Sequence, residues 1–337
     1  MAKDARLAER QARPLASIPA SSRLPRRRLL LGAGCLAVSA CAPGDDKLRP
    51  EHLPGWSEAA YQAARTALPA LVRWPDAGSF SAAHRVEPVS ADLVKITAYF
   101  EPVLEARRRA SPAFPIPLLS APVGWTGPFP DRAAITRGAL TSYSAPLFWL
   151  ADPVDLFFLQ IQGSGRLQLE DGTMVRIGYA GRNGHDYVSI GRLMRREGLI
   201  PVADAHADGI AAWLRADAER GRAMMNRNPA YIFFTERRDL DPTEGPQGAW
   251  GRPLPSGHAV AVDPSAHPYG SLLWIETSVP PKNYPAAALW MAMDTGSAIK
   301  GPGRFDLFLG SGPEAGAAAG VVNTAGRVHR ILPAATA

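Results

Sequence analysis

Apolar and polar positions alternate most regularly in the last third of the chain. From Ala259 onward the runs AVAVD, LLWIET, ALWMAMD, FDLFL and VHRIL follow one another, divided by Gly- and Pro-bearing turns. Short, evenly spaced runs rich in β-branched and aromatic residues predict strands, and their density predicts a β-barrel. Leu93–Phe100 has the same character and predicts a further strand. Asp155–Ile161 (DLFFLQI) also reads as a strand, ending in a turn at Gln162–Gly165. Arg166–Leu169 and Met174–Tyr179 flank Asp171-Gly172, a hairpin signal, and Tyr231–Thr235 predicts one more strand. Helices are predicted over Gly55–Val72, with Ser57 as N-cap, over Asp186–Glu197, capped by Asp186 and stopped by Gly198, and over Asp208–Met225. Proline-rich Ala113–Pro130 reads as an extended loop.

Composition narrows this picture. The 337 residues are 46% apolar, enough for one large or two modest domains with a real core. With 31 Gly and 32 Pro, a loop-rich β architecture is favoured over a helical bundle. The formal net charge is +6, and residues 1–40 alone carry eight Lys/Arg against two Asp/Glu. Residues 41–337 are therefore formally neutral, which argues against general electrostatic binding to nucleic acid.

The basic segment has the parts of an export signal. Arg26-Arg27-Arg28 precedes the apolar run Leu29–Ala40, which is shorter than the roughly 20 residues needed to span a bilayer. Val38-Ser39-Ala40-Cys41 resembles a bacterial lipobox, in which Cys41 is lipidated and becomes the mature N-terminus; a plain signal peptide is the alternative. Cys35 and Cys41 are the only cysteines, so the body has no disulfide, no cysteine nucleophile and no thiolate metal site.

Candidate chemistry concentrates in Trp290–Gly310. Asp294 ends an apolar run before Thr295-Gly296-Ser297, and Asp306 lies between apolar neighbours in Phe305–Leu309. A carboxylate in an apolar strand is costly unless paired, and such a setting raises its pKa toward a general acid's value. Asp263, in VAVDP, repeats the pattern of apolar strand followed by Asp, and three such strand ends can converge on one face of a small barrel. Asp-Thr-Gly is also the motif of aspartic proteases, although no second copy is present. Turn-stabilising aspartates are the plainest alternative. Gln162-Gly163-Ser164-Gly165, Tyr179–Tyr187 (with Asn183) and Tyr99-Phe100-Glu101-Pro102 offer the amides, hydroxyls and aromatic faces that suit a carbohydrate cleft. The seven histidines show no metal-ligand spacing, and no P-loop, dinucleotide fingerprint or serine-nucleophile elbow occurs.

Taken together, these segments resemble the membrane-bound lytic murein transglycosylase A family. The resemblance is carried, in order, by Ala98–Pro102, Phe157–Gly165, Tyr179–Gly191, Asn228–Phe234, Val260–Gly270, Met293–Gly310, Gly312–Gly316 and Gly326–Val328. It implies a mainly β fold of two domains. Residues 55–102 and 241–337 would form a double-psi β-barrel that includes a three-aspartate region at 259–333. Residues 103–240 would form an inserted β-rich domain with a few helices, with the substrate groove between the two. Residues 1–40 would be a leader and 41–54 a lipoprotein tether.

The family implies an enzyme, a carbon–oxygen lyase of peptidoglycan turnover, acting without metal or cofactor. It cleaves the β-1,4 bond between N-acetylmuramic acid and N-acetylglucosamine and leaves 1,6-anhydromuramic ends. By family match Asp306 is the general acid and then base, with Asp294 and Asp263 supporting. Tyr99, Glu101, Gln162, Gly163, Ser164 and Asn183 are the expected substrate contacts. The expected partners are glycan strands and a membrane reached through Cys41, with no nucleic acid. The expected location is the periplasmic face of the envelope, as an outer-membrane lipoprotein. Two readings compete with this one: an acid protease using Asp294, and a non-catalytic peptidoglycan-binding lipoprotein. The chain departs from the family at Phe100, where a second tyrosine is usual, and at Ser297, where glycine is usual.

Overall fold

Six strands close into a ring. A computed structural model describes residues 48–334 except 69–73, 240, 242, 279 and 282. The leader, the lipobox with Cys41 and the far end of the first predicted helix lie outside the described residues. The strands are β1 (His84–Pro88), β2 (Val94–Glu101), β3 (Val103–Glu105), β4 (Ile116–Leu119), β5 (Pro146–Leu150), β6 (Ser164–Gln168), β7 (Met174–Arg182), β8 (Ile232–Glu236), β9 (Ala259–Ala261), β10 (Leu272–Thr277), β11 (Ala287–Asp294), β12 (Arg304–Ser311) and β13 (Asn323–Pro333). Pairing runs β13-β10-β11-β9-β12-β2, and β2 returns to β13, so these six form a closed barrel with β1 added on β13. Two pairs, β11/β9 and β12/β2, are parallel, while the other barrel pairs are antiparallel. Closure removes free edges. It also brings β13 so close to β10 and β2 that a Cβ on Gly326 would lie 2.2 Å from the Glu276 carbonyl oxygen.

The period-two pattern sorts the barrel residues. One set, including Ile96, Val260, Leu273, Trp290, Phe305, Leu307 and Val328, comes from all six strands and fills the interior. The alternate set faces outward. Part of it, with Trp274 and Met291, packs under α1 (Glu58–Ala67) and α2 (Ala77–Ala83) around Trp56, Tyr61 and Phe80. Ser57 caps α1 by accepting from the Ala60 N–H at 3.1 Å. The fold begins before residue 55: the Leu48 carbonyl accepts from Val86 N–H, and Leu53 is buried in this outer core. Residues 48–54, expected in the tether, are part of the fold.

A second sheet, β3-β6-β7-β8, and the pair β4-β5 arise from the middle of the chain. Here the helices are α3 (Arg132–Thr136), α4 (Pro153–Gln162), α5 (Ile190–Arg196), α6 (Ala207–Ala216) and α7 (Ala218–Met225); α8 (Gly312–Gly320) follows β12. The fold is mainly β with few helices, as expected, but four local expectations are corrected. Asp155–Ile161 is not a strand; it lies in α4. Asp152 caps that helix through the Val154 N–H, Pro153 opens it, and Gly163 closes it in the left-handed region. Leu156 and Leu159 face the core of the second sheet while Val154 and Phe157 face the helices behind, and burial on two sides hid the helical period. The helix expected from Asp186 starts at Ile190, because Ser189 is the residue that caps it. The helix expected over Asp208–Met225 breaks at Asp217, which caps α7. The loop expected at Ala113–Pro130 contains β4, whose Leu118 is buried against β5.

Candidate active site

Barrel register places the two conspicuous aspartates on either side of one strand. Ala261 of β9 pairs with Asp294 of β11 and with Asp306 of β12, and Asp306 in turn pairs with Thr97 of β2. A single row, Thr97–Asp306–Ala261–Asp294, thus crosses four strands. Residues directly opposite share a face. On β2 and β12 the neighbours of Thr97 and Asp306 (Ile96, Phe305, Leu307) point into the barrel, so this row lies on the outer wall.

Asp306 is the more perturbed group. Its side chain keeps some exposed surface, yet its carboxyl lies deep among protein atoms. Burial pushes its pKa up to about 6, against the pull of the Arg304 charge and of the hydrogen bond donated by Thr97; the nearby Asp294 charge adds a smaller upward push. Asp294 is also raised by burial, but both its oxygens are occupied. The Tyr99 hydroxyl donates to Oδ2 at 2.7 Å and the Ala249 N–H to Oδ1 at 2.9 Å. Burial and the Asp294 charge hold the Tyr99 phenol well above its ordinary pKa, so it stays a donor. Around Asp294, Thr295 donates to the Val262 carbonyl at 2.8 Å and half-buried Tyr269 stands close by.

Asp263 is not in this row. Its carboxylate is exposed and accepts from Ser265 N–H (3.0 Å), Ser265 Oγ (2.7 Å) and Gly301 N–H (2.7 Å), which hold its pKa down to about 2. His267, its ring tilted against Phe305 at 5.1 Å, bonds the Pro302 carbonyl at 2.9 Å through Nε2. The Asp263 turn thereby pins residues 301–302, from which β12 and Asp306 start. Asp263 therefore stands outside the row, its carboxylate spent on the Ser265 turn and on the Gly301 N–H.

The other expected contacts divide. Tyr99 stands half-buried beside Asp294. Ser164 is half-buried at the start of β6, Gly163 is the C-cap of α4, and the Gln162 side-chain oxygen accepts from Phe100 N–H at 3.2 Å. Two others are corrected. Glu101 has no exposed surface; its Oε2 accepts from Arg166 (2.8 Å) and Ser311 (2.5 Å), and Arg176 forms an ion pair with Oε1 at 3.2 Å. Asn183 is buried, donating to the Pro130 and Pro229 carbonyls and accepting from Tyr231 N–H. Their long-range partners make them structural, which a local motif cannot show.

Sequence reasoning missed Thr97, Lys95 and Arg304. The signal was present: each lies at an even spacing from Tyr99 or Asp306, hence on the same face of its strand. A cavity of about 920 Å³ opens off the end of β12, lined by Arg166, Leu254, Tyr284, Phe308, Ser311 and Glu314 among others. It starts two residues beyond Asp306 and does not include it.

A closed mixed barrel with an aspartate pair on its outer wall, joined to a second sheet, defines a class of two-sheet barrel proteins. Residues 258–332 match the 3D domain and residues 95–235 match the MltA specific insert domain. Membrane-bound lytic murein transglycosylase A of Escherichia coli K12 is 34% identical over 247 residues, 70% of this chain; the match spans 64% of that relative's length. The crystal structure of a membrane-bound lytic murein transglycosylase from Agrobacterium tumefaciens is similar at TM-score 0.74 and 28% identity, covering 86% of this chain and 97% of that one. The structure of E. coli MltA with bound chitohexaose is similar at TM-score 0.64 and 31% identity, covering 74% and 75%. The chain belongs to the membrane-bound lytic murein transglycosylase A family.

Proposed function

We propose that this protein is a lytic transglycosylase that cleaves the β-1,4 bond between N-acetylmuramic acid and N-acetylglucosamine, with Asp306 as the only proton-transfer group. The carrying observation is the Asp306 carboxyl, with its pKa pushed to about 6 and Thr97 fixing its orientation. A carboxyl with that pKa is partly protonated near neutral pH and can pass a proton to the glycosidic oxygen as the C1–O bond breaks. The resulting carboxylate then accepts the C6 hydroxyl proton as O6 bonds to C1, which closes the 1,6-anhydro ring without water. Two-carboxylate glycosidases need a second group to attack or to activate water. Here the nucleophile is tethered to the ring, and tethering is worth up to about 7–11 kcal/mol in good cases. Asp294 is held by Tyr99 and Ala249 and separated from Asp306 by β9, about two strand spacings or 10 Å between backbones, so it supports the site without sharing a proton as an acid protease requires.

In this reading residues 48–102 and 241–337 are the barrel domain, residues 103–240 the insert, and glycan strands lie in the groove between them. A lipid on Cys41 would hold the enzyme at the envelope; among the described residues no helix is long and apolar enough to cross a membrane. The test is product analysis. Purified sacculi treated with the enzyme should release anhydro-muropeptides, and Asp306→Asn should lower the rate by at least about 10³-fold, the order expected when a positioned general acid is lost. Full activity in that variant, or hydrated reducing ends as product, would remove Asp306 from this role.

A further inference from the structure

The parallel ladder of β2 and β12 gives the outer wall a polarity. Moving along it, the paired rungs are Lys95/Arg304, Thr97/Asp306 and Tyr99/Phe308. Successive same-face rungs lie about 7 Å apart. Asp306 therefore has an aromatic rung on one side, with Tyr99 and Phe308 rings 5.3 Å apart, and a rung of two cations on the other. Lys95 is exposed and Arg304 half-buried. Both donate to neutral oxygens: Lys95 to Asn323 Oδ1, and Arg304 to the Phe305 carbonyl at 2.5 Å. Arg304 also lies close enough to Asp306 for the two charges to interact. Arg195, on α5, adds a third positive charge. Burial first, then Arg304 and Arg195, push the Lys95 amine below its ordinary pKa. Like charges crowded beside a sugar-binding site are unfavourable in the empty protein, and a bound anion relieves them.

We propose that Lys95 and Arg304 are specificity residues that bind a carboxylate carried by the glycan beside the scissile bond. This rests on the peptidoglycan reading above. Such a strand offers two sources: the lactyl carboxylate of muramic acid, free where the stem peptide has been removed and on the same ring as the scissile C1, and the carboxylates of the stem itself. A planar guanidinium and a mobile ammonium suit either one. The competing role for Arg304, a counter-charge to Asp306 alone, predicts equal effects on every ligand.

The experiment measures affinity in an Asp306→Asn background, so it needs no turnover, and absence of turnover in the parent enzyme would sink the lyase reading without deciding this one. Three ligands are compared: neutral chitohexaose, peptide-free glycan strands, and soluble strands that keep their stems. With both Lys95→Gln and Arg304→Gln, affinity for at least one carboxylate-bearing strand should fall tenfold or more, and added salt should shrink that difference. Chitohexaose affinity should change less than twofold, which also reports an intact fold. Lys95→Glu alone should weaken the same ligand further than Lys95→Gln. A loss confined to peptide-free strands assigns the lactyl group, and a loss confined to stemmed strands assigns the stem. Equal losses on all three ligands, or none on any, would overturn the proposal.

Discussion

In the proposed mechanism the chemistry rests on how one carboxyl is desolvated. Asp306 is lifted to about 6 chiefly by burial, while Arg304 and the Thr97 hydroxyl pull it down. As general acid it must be protonated in the free enzyme, so kcat/KM should hold at low pH and fall as pH rises through about 6. Thr97→Val removes a hydrogen bond that stabilises the charged form. The sign is therefore upward: the descending limb should move to higher pH, by on the order of one unit or less. A pH–rate profile of both proteins on solubilised glycan checks this, and a downward shift would contradict the assignment. At this scale the burial of two carboxyls was legible in the chain. Asp306 and Asp294 stand out as carboxylates in apolar runs. Asp263 was misleading, because the same local text also describes a turn whose backbone amides consume the charge. Glu101 and Asn183 misled for another reason: their partners lie up to 210 and 53 residues away.

At the scale of elements, the barrel strands were readable because each has one inward and one outward face. Helix α4 was not readable, since it is buried on two sides and its string of apolar residues has no polar stripe. Its cues were in the flanks: Asp152-Pro153 before it and Gly163 after it are start and stop signals that outweigh the β-like interior. The cap is testable. Asp152→Ala removes the acceptor of the Val154 N–H (2.8 Å) and should cost about 1–2 kcal/mol. The same carboxylate also pairs with Arg215 at 2.5 Å, but that pair is partly exposed and adds little. Chemical denaturation measures the loss. Asp152→Asn should recover most of it, because asparagine also caps, whereas a dominant ion pair would leave that variant as weak as alanine.

For the whole molecule, the question is what fixes the second sheet against the barrel, since the proposed groove between them needs a stable geometry. Glu101 ends β2, and the chain passes through Pro102 directly into β3. The Glu101 carboxylate is fully buried and meets Arg166 of β6, Arg176 of β7 and Ser311 at the start of α8. One side chain thus ties two strands of the second sheet to the barrel end. Arg176 is itself nearly buried and, among the described residues, otherwise donates only to the Asp241 and Glu244 carbonyls. A buried pair of this kind gives uncertain net stability, but deleting one partner strands the other charge, typically at a cost of about 3–5 kcal/mol. Glu101→Ala should therefore lower unfolding stability by that order, far more than truncating an exposed pair such as Arg238–Glu236. The double variant Glu101→Leu with Arg176→Met should recover much of the loss, because it removes the stranded cation as well as its anion. Equilibrium urea unfolding of the four proteins decides the matter. A loss below about 1 kcal/mol for Glu101→Ala would show that the two sheets are held by apolar packing, with the ion cluster incidental.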